Sequence, residues 1–194
     1  LPQSANGKTI MTTQPKFVPG EAVTLSLGEG IDASVRLVDC VGYLAEGAEG
    51  VEDENGERMV RTPWSDEEMP FSQAAETGTR KVIGEHSTIG IVVTCDGSIT
   101  TDLPRSAYVN AEERAITELK SLGKPFIVIL NSSVPGNAET AKLADAISEK
   151  YGAKVMVSDV RNMSEEEITA MFEAVLMEFP LRDADFELSK WLGA

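Results

Sequence analysis

The chain has 194 residues, of which 42% are hydrophobic and 25% are charged. That length and composition are typical of one globular domain and exclude a disordered or fibrous chain. Asp and Glu number 32 against 17 Lys and Arg, so the net charge is −15. Such a surplus of negative charge repels phosphate backbones and acidic lipid surfaces, which argues against a nucleic-acid partner and against a membrane partner.

Targeting segments and cysteine chemistry narrow the class of protein further. No apolar run approaches the roughly 18 residues that would span a bilayer, and residues 1–30 show no signal peptide. We therefore expect a cytosolic protein. Its two cysteines, Cys40 and Cys95, end two apolar runs and form no metal-ligand spacing, so both are predicted to be reduced structural thiols.

The first regular pattern along the chain predicts a β-hairpin. Apolar and β-branched residues alternate or run together over 22–27 and 35–40, and Gly28, Gly30 and Asp32 lie between the two ranges. The next stretch, residues 43–71, is rich in Gly, Glu, Asp and Pro and has no sustained period. It is predicted to be a long loop or insertion, and ordered loops of that length usually carry a function.

From residue 72 onward, the pattern of helices alternating with buried strands predicts a parallel sheet that is covered on both faces. A capping box at residues 164–167 and the glycines at 123 and 152 mark three of the helix ends. The predicted elements are helix 72–83, strand 89–94, helix 106–122, strand 126–130, helix 137–151, strand 154–157, helix 164–179 and an edge strand at 184–188.

The sharpest chemical signal is Arg-Leu-Val-Asp-Cys-Val-Gly at residues 36–42, an apolar strand that ends in Asp-x-x-Gly. In P-loop hydrolases an aspartate at this point holds the water shell of Mg²⁺. The glycine lets its backbone N–H approach the γ-phosphate. Asp39 and Gly42 are therefore candidate site residues, although a plain turn is the commoner meaning of such a motif by itself.

A second signal precedes the hairpin, at residues 9–15, Thr-Ile-Met-Thr-Thr-Gln-Pro. A switch threonine would stand at this point, with its hydroxyl on Mg²⁺ and its N–H on the γ-phosphate. Thr9, Thr12 and Thr13 are therefore the candidates for a switch threonine that acts together with Asp39. Threonine-rich loops without any function are also common, so this signal depends on its order before the Asp-x-x-Gly strand.

The signals for a phosphate loop and for guanine recognition are incomplete. Gly-Lys-Thr at residues 7–9 resembles the end of a Walker A motif, but Pro2 stands where the first glycine is needed. Asn131 begins Asn-Ser-Ser-Val, where GTPases carry Asn-Lys-x-Asp, and Val134 has no acceptor for the guanine N–H groups. Guanine selection is predicted to be lost, which leaves an adenine nucleotide or none. Tyr43 replaces a water-orienting glutamine, so hydrolysis should be slow or use another group.

Several strings of sequence together resemble the stage IV sporulation protein A family, ATPases that polymerise on the forespore surface as the base of the spore coat. The resemblance is strongest over residues 1–131. The strings are residues 7–13, 36–43, 52–56, 61–64, 78–83, 86–90 and 96–99.

The resemblance implies an α/β fold of the P-loop NTPase type, similar to translation-factor GTPases, and it implies ATP and Mg²⁺ as cofactors. Asp39 would be the Walker B aspartate. Thr12 and Thr13 would be the sensor threonines that link hydrolysis to polymerisation, with Thr12 also near the metal. Gly42 and Asn131 would contact the nucleotide. Self-assembly, other spore coat morphogenetic proteins as partners, and a place on the mother-cell side of the forespore surface are further implications.

In that family the Walker A loop should precede residue 1, and membrane contact should depend on regions outside this chain. Residues 1–194 are therefore expected to be an ATPase-domain fragment that cannot hydrolyse ATP alone. The central P-loop strand, which would lie between strands 35–40 and 89–94, is expected to be missing. Two strand edges would then be open, so we expect self-association or rearrangement there and weak binding of ATP.

Two alternatives belong to other classes of protein. One is a non-catalytic self-association or scaffold module with a vestigial nucleotide site. The other is a response-regulator-like receiver, which would need an acidic cluster after its first strand, whereas Asp39 supplies one carboxylate. A longer natural chain with G-x-x-x-x-G-K-[ST] just before Leu1 would separate the ATPase from the scaffold module.

Overall fold

The computed structural model describes residues 16–26, 32–54, 56–62 and 64–179. Thr12, Thr13 and the predicted edge strand at 184–188 lie outside these ranges. The elements are β1 (Lys16–Ser26), β2 (Asp32–Asp39), β3 (Glu52–Asp53), β4 (Gly56–Glu57), β5 (Met59–Thr62), β6 (Ser65–Pro70), α1 (Phe71–Lys81), β7 (Gly90–Cys95), α2 (Arg105–Ser121), β8 (Phe126–Asn131), α3 (Ala138–Tyr151), β9 (Val155–Ser158) and α4 (Glu165–Met177). A π-helical turn (Val82–His86) extends α1, and a 3-10 turn (Val160–Asn162) precedes α4.

A three-stranded parallel sheet in the order β7-β8-β9 forms the centre of the fold. Its middle strand, β8, is an unbroken apolar run, which is the sequence of a strand that is buried on both faces. Val128 and Leu130 pack in a cluster with residues of α2 and α3. Ile127 and Ile129 pack on the opposite face with Val175 of α4. The predicted α/β class, with helices on both faces of a parallel sheet, is confirmed.

The helices and strands predicted between residues 72 and 179 are confirmed with ends that differ by at most two residues, apart from the π-helical turn that extends α1. The hairpin strands, predicted at 22–27 and 35–40, begin six and three residues earlier than predicted. Local capping contributes to the agreement in α3 and α4, where Asn137 and Ser164 cap the first turn. Ser164 donates its N–H to Glu167 Oε2 at 2.8 Å and accepts the Glu167 N–H at 3.2 Å, which is the predicted capping box of α4. Among the described residues, no helix is both long enough and apolar enough to cross a bilayer.

The N-terminal half of the described chain forms antiparallel ribbons. β1 and β2 pair as the predicted hairpin, with a register irregularity between Val18 and Val23. Residues 43–71 are more ordered than the sequence suggested, because β3 pairs with β4 and β5 pairs with β6. The second of these ribbons packs through Val60 onto Ala74 of α1. β3 and β4 have only two residues each, and β6 is mostly polar, so neither ribbon shows a hydrophobic period in the sequence.

A buried ion pair fixes α2 to the end of β7. Arg105 Nη2 lies 2.7 Å from Glu112 Oε2, and the Glu112 side chain is only 2% exposed. Arg105 Nη1 also donates to Thr94 Oγ1 at 2.9 Å and to the Cys95 carbonyl at 3.3 Å. A Cβ on Gly97, which has φ +90°, would lie 2.7 Å from the Arg105 backbone nitrogen. The turn between β7 and α2 therefore needs a glycine.

Breaking this ion pair should destabilise the fold. Arg105→Met keeps most of the apolar stem but leaves the Glu112 carboxylate buried without its cation, which costs roughly 3 kcal/mol or more of unfolding free energy. Equilibrium urea unfolding of the chain measures the loss. The control is Lys142→Met, which removes an exposed pair with Glu139 at 2.8 Å and should cost about 1 kcal/mol or less. Equal losses in the two variants would contradict the prediction.

Candidate functional site

The Asp-x-x-Gly motif lies where an apolar strand runs out into a loop. Asp39 is the last residue of β2 and is exposed. Gly42 has φ +81°, in the left-handed region that glycine tolerates and other residues rarely adopt. No atom lies within 4 Å of the position that a Cβ on Gly42 would take. The carboxylate of Asp39 can therefore be reached by a ligand, and the space beside the Gly42 Cα is open.

A slot separates β2 from the parallel sheet. Within the described residues, β2 pairs with β1 alone and β7 pairs with β8 alone, so each keeps one unpaired edge. The space between them, here called the β2–β7 slot, opens as a groove of about 380 Å³ towards α2 and as one of about 430 Å³ towards α4. Its walls include Val35, Val38, Val41, Ile89, Ile91 and Val92.

The slot is mainly apolar. Of its polar residues on the α2 side, Glu112 is already paired with Arg105. An anion placed in such a lining would lose its hydration without compensation. Two parallel rows of backbone groups between apolar walls are suited instead to an extended peptide strand. The Gly42 turn is part of the same lining.

Asn131 is the last residue of β8 and connects two strand ends. Its Oδ1 accepts the N–H of Val160 at 3.0 Å, and the neighbouring Ser132 N–H donates to the Ser158 carbonyl at 3.0 Å. The loop after β9 is thereby held against the loop after β8. Val134 is 49% exposed in the loop after β8, where it offers no hydrogen-bond acceptor to a ligand.

A carboxylate that the sequence reasoning did not single out stands just after β7. Asp96 Oδ1 accepts the Ser98 N–H at 2.8 Å and the Ser98 hydroxyl at 2.6 Å, and Oδ2 accepts the Thr140 hydroxyl at 3.2 Å. Burial alone would raise the pKa of Asp96, but donors that include Ser132 and Ser98 outweigh it and lower the pKa. The signal was available, because Asp96 precedes Gly97 at a strand end just as Asp39 precedes the Gly42 turn.

Two of the predicted site residues stand at the ends of strands. Asp39 is the last residue of β2 and Asn131 is the last residue of β8, and in open α/β sheets ligands bind at the carboxyl ends of strands. Asp39 lies on the β2 side of the slot. Asn131 lies on the other side, beyond β7. Thr12 and Thr13 are outside the described residues, so their place relative to Asp39 stays a prediction.

A metal would have to be held jointly with another group. Among the described residues, no three His, Cys, Asp or Glu side chains form a set that could hold an ion. Mg²⁺ commonly takes only one or two protein carboxylates and fills the remaining positions with water and substrate phosphates. The exposed carboxylate of Asp39 suits Mg²⁺ in that way, as one carboxylate that can hold the water shell of the ion.

The two cysteines are free, in agreement with the prediction that they are reduced. Burial raises the pKa of the Cys40 thiol, and the opposing hydrogen bonds of Gly42 and Thr79 are weaker. Cys95 is buried at the end of β7. Neither environment is electropositive and exposed, as a nucleophilic thiolate requires, so both cysteines act as packing residues.

Comparison with known proteins agrees with the sequence motifs. Residues 1–180 match the family described as stage IV sporulation protein A, ATPase domain. Stage IV sporulation protein A of Bacillus subtilis (strain 168) is 52% identical over 192 residues, which are 99% of this chain and 39% of that protein. The proteins of the same name from Bacillus anthracis and Clostridioides difficile (strain 630) are each 50% identical over 192 residues. No solved structure matches the chain.

The chain spans 39% of the length of these relatives, so it corresponds to one part of them. The family match covers residues 1–180 and therefore includes the hairpin, the slot and the whole parallel sheet. The Asp-x-x-Gly turn at the edge of that sheet lies within the matched range. The chain belongs to the stage IV sporulation protein A family, within its ATPase domain.

Proposed function

We propose that this chain is the part of an ATPase that holds Mg²⁺ and senses the γ-phosphate, in a protein that acts in sporulation. The observation that carries the proposal is the exposed Asp39 at a strand end, three residues before the left-handed turn at Gly42. The family match to an ATPase domain supports the same function. The names of the relatives supply the link to sporulation.

Each site residue has a separate task in this proposal. Bound Mg²⁺ supplies positive charge that offsets the charge of the phosphates. Asp39 orients the metal through its water shell, and its exposure leaves the carboxylate accessible. Gly42 offers a backbone N–H to the γ-phosphate. Thr12 and Thr13 are proposed to add a hydroxyl to the metal and to couple hydrolysis to assembly, as the family resemblance implies.

The chain spans 39% of the length of its relatives, so we call a protein that contains this chain and the remaining regions of the relatives the longer protein. The β2–β7 slot is proposed to receive a strand of the longer protein, the one that leads into the phosphate-binding loop. Unpaired backbone groups in a buried strand edge cost about 1–3 kcal/mol each, so a strand that pairs with both β2 and β7 would be stabilised strongly. The apolar walls on both faces suit such a strand. It would place the phosphate loop at the same end of the sheet as the Gly42 turn.

The nucleoside end of the site is proposed to lie at the loop after β8. Asn131 shapes this loop through its bond to the Val160 N–H. A guanine base needs an acceptor for its N1 and N2 hydrogens, and Val134 supplies none. ATP is therefore proposed as the nucleotide, with hydrolysis of its γ-phosphate as the reaction.

The remaining proposals concern the assembled protein. Polymerisation into a basal layer of the spore coat, contact with other coat morphogenetic proteins, and a place on the mother-cell side of the forespore surface follow from the family resemblance. One observation favours the second candidate, a non-catalytic self-association module. The β1–β2 hairpin leaves Val18, Val23 and Leu37 nearly half exposed, and apolar side chains of this kind suit a contact between copies.

Removal of the metal-orienting carboxylate should separate hydrolysis from binding. In the longer protein, Asp39→Ala should lower the rate of ATP hydrolysis roughly 100-fold, because a Mg²⁺ whose water shell is no longer held stabilises the charge of the transition state less. Its affinity for ATP should change only a few-fold. Asp32→Ala, at the other end of β2, is the control and should keep the rate. Unchanged ATP turnover in Asp39→Ala would remove Asp39 from the site.

The absence of a guanine acceptor should appear as a preference for ATP. In the longer protein, GTP should displace bound ATP only at roughly tenfold or greater excess, because a site without the acceptor gains no base-specific hydrogen bond from guanine. Val134→Asp places a carboxylate in the loop after β8 and should narrow the difference between the affinities for ATP and GTP. Val134→Asn is the uncharged control. Displacement of ATP by GTP at equal concentration would contradict the assignment.

The role of the slot can be tested by comparing two lengths of protein. The 194-residue chain by itself should bind ATP weakly, because backbone amides of a phosphate loop supply most phosphate contacts in this class of protein. The longer protein should bind ATP with micromolar or better affinity. Titration calorimetry measures both affinities, and light scattering gives the oligomeric state. Micromolar ATP binding by a monomer of the 194 residues would contradict the proposal.

A further inference from the structure

The residue that follows the Gly42 turn is fixed to α2. The hydroxyl of Tyr43 donates to Glu118 Oε2 at 3.0 Å, and the guanidinium of Arg114 lies 4.5 Å from the centre of the Tyr43 ring. Burial and the neighbouring Glu118 raise the pKa of Tyr43 to about 12, so the hydroxyl stays protonated and donates throughout the neutral range. Both contacts cross 71 or more positions of sequence.

Further ion pairs close these contacts into a ring that includes α1. Arg114 Nη2 lies 2.6 Å from Glu76 Oε1, and Arg80 Nη2 lies 3.1 Å from the same oxygen. Arg80 Nε then lies 3.6 Å from Glu118 Oε1. A single exposed pair contributes little, but members of a shared network support one another. These five residues, Tyr43, Glu76, Arg80, Arg114 and Glu118, are called the Tyr43 network.

A second anchor lies three residues farther along the loop. The N–H of Glu46 donates to the Ala107 carbonyl at 2.9 Å, and the side-chain amide of Asn110 donates to the Glu46 carboxylate. The loop is thus attached to α2 by two consecutive contacts. Only residues 40–42 connect the end of β2 to the first of them. The position of Gly42 is therefore determined by β2 on one side and by Tyr43 on the other.

We propose that Tyr43 is a positioning residue for ATP hydrolysis, which fixes the Gly42 turn to α2 so that the glycine N–H, which faces the weakly accepting Cys40 thiol, can exchange that partner for the γ-phosphate without moving the turn. This inference rests on the proposed function. The hydroxyl of Tyr43 donates a hydrogen bond to Glu118, so Tyr43 positions the turn and does not orient the attacking water. A preorganised donor lowers the barrier because it needs no rearrangement during the reaction.

The test uses the longer protein and separates kcat from KM for ATP. Tyr43→Phe removes the hydroxyl but keeps the ring beneath Arg114, and it should lower kcat about threefold. Tyr43→Ala removes both contacts and should lower kcat about tenfold or more, because small misplacements of a site cost up to roughly 100-fold. KM should stay within about twofold in both variants. Partial recovery from Ala to Phe would show that the ring itself contributes.

Two variants on α2 provide the matched comparison. Glu118→Gln weakens the acceptor of the Tyr43 hydroxyl and should lower kcat to about the same extent as Tyr43→Phe. Glu113→Gln removes a pair with Lys150 at 2.9 Å, which connects α2 to α3 and does not contact the loop. It should leave kcat unchanged. Equal effects of the two glutamine variants, or a rise in KM that matches the fall in kcat, would overturn the proposal.

Amide hydrogen exchange distinguishes failure of this inference from failure of the proposed function. In the absence of nucleotide, Tyr43→Ala should speed exchange of the Glu46 N–H about tenfold or more, because the loop loses its first anchor. The exchange rate of the β8 amides should stay unchanged. If the unmodified protein hydrolyses no ATP, the proposed function fails, and with it the role in hydrolysis. Unchanged exchange at Glu46 in Tyr43→Ala would overturn the anchoring on which the inference depends.

Discussion

The structure depends on the burial of one strand on both faces. β8 is apolar over its first five residues, and Val128 and Leu130 are fully covered on one side while Ile127 and Ile129 are covered on the other. Such a strand is stable only between two layers of helices. α2 and α3 form one layer and α4 forms part of the other, and parallel pairing on either side of β8 brings the carboxyl ends of three strands to one edge. Polar residues such as Asn131 can stand at this edge because the apolar residues of the strands are buried in the sheet before it.

Among the described residues, β7 is held by its contacts with β8 and α2, while its other edge is open towards β2. The Arg105–Glu112 pair and the Gly97 turn attach α2 to the end of β7, and the Asp96 carboxylate joins the loops after β7 and β8 to Thr140 of α3. These contacts stabilise the edge of the slot without filling it. β2 stands across the slot and is held by β1 and by its loop. The apolar opening between a fixed wall and a hairpin is what a pairing strand would need.

Two arginines stabilise the loop that follows the Gly42 turn. The chain has a net charge of −15, yet the loop after Gly42 is held by two arginines, Arg80 and Arg114, on the faces of α1 and α2. Arg114 contacts the Tyr43 ring and Arg80 pairs with Glu118, which accepts the Tyr43 hydroxyl, so both arginines help to fix the position of this loop. The Asp39–Gly42 turn is therefore placed by packing at one end and by electrostatics at the other.

The sequence by itself determined the α/β class, the helix and strand order from residue 72 onward, the hairpin, and Asp39 and Gly42 as a strand-end pair. These features depend on neighbours within about 20 residues, where hydrophobic period, caps and turn residues act. It missed the ribbons within residues 43–71, because β3 and β4 have two residues each and β6 is mostly polar, and it missed Asp96 as part of the carboxyl edge. Only the tertiary structure decided where Tyr43 points, because its partner Glu118 lies 75 positions away. No local pattern encodes such a contact; the packing of α2 against the sheet creates it.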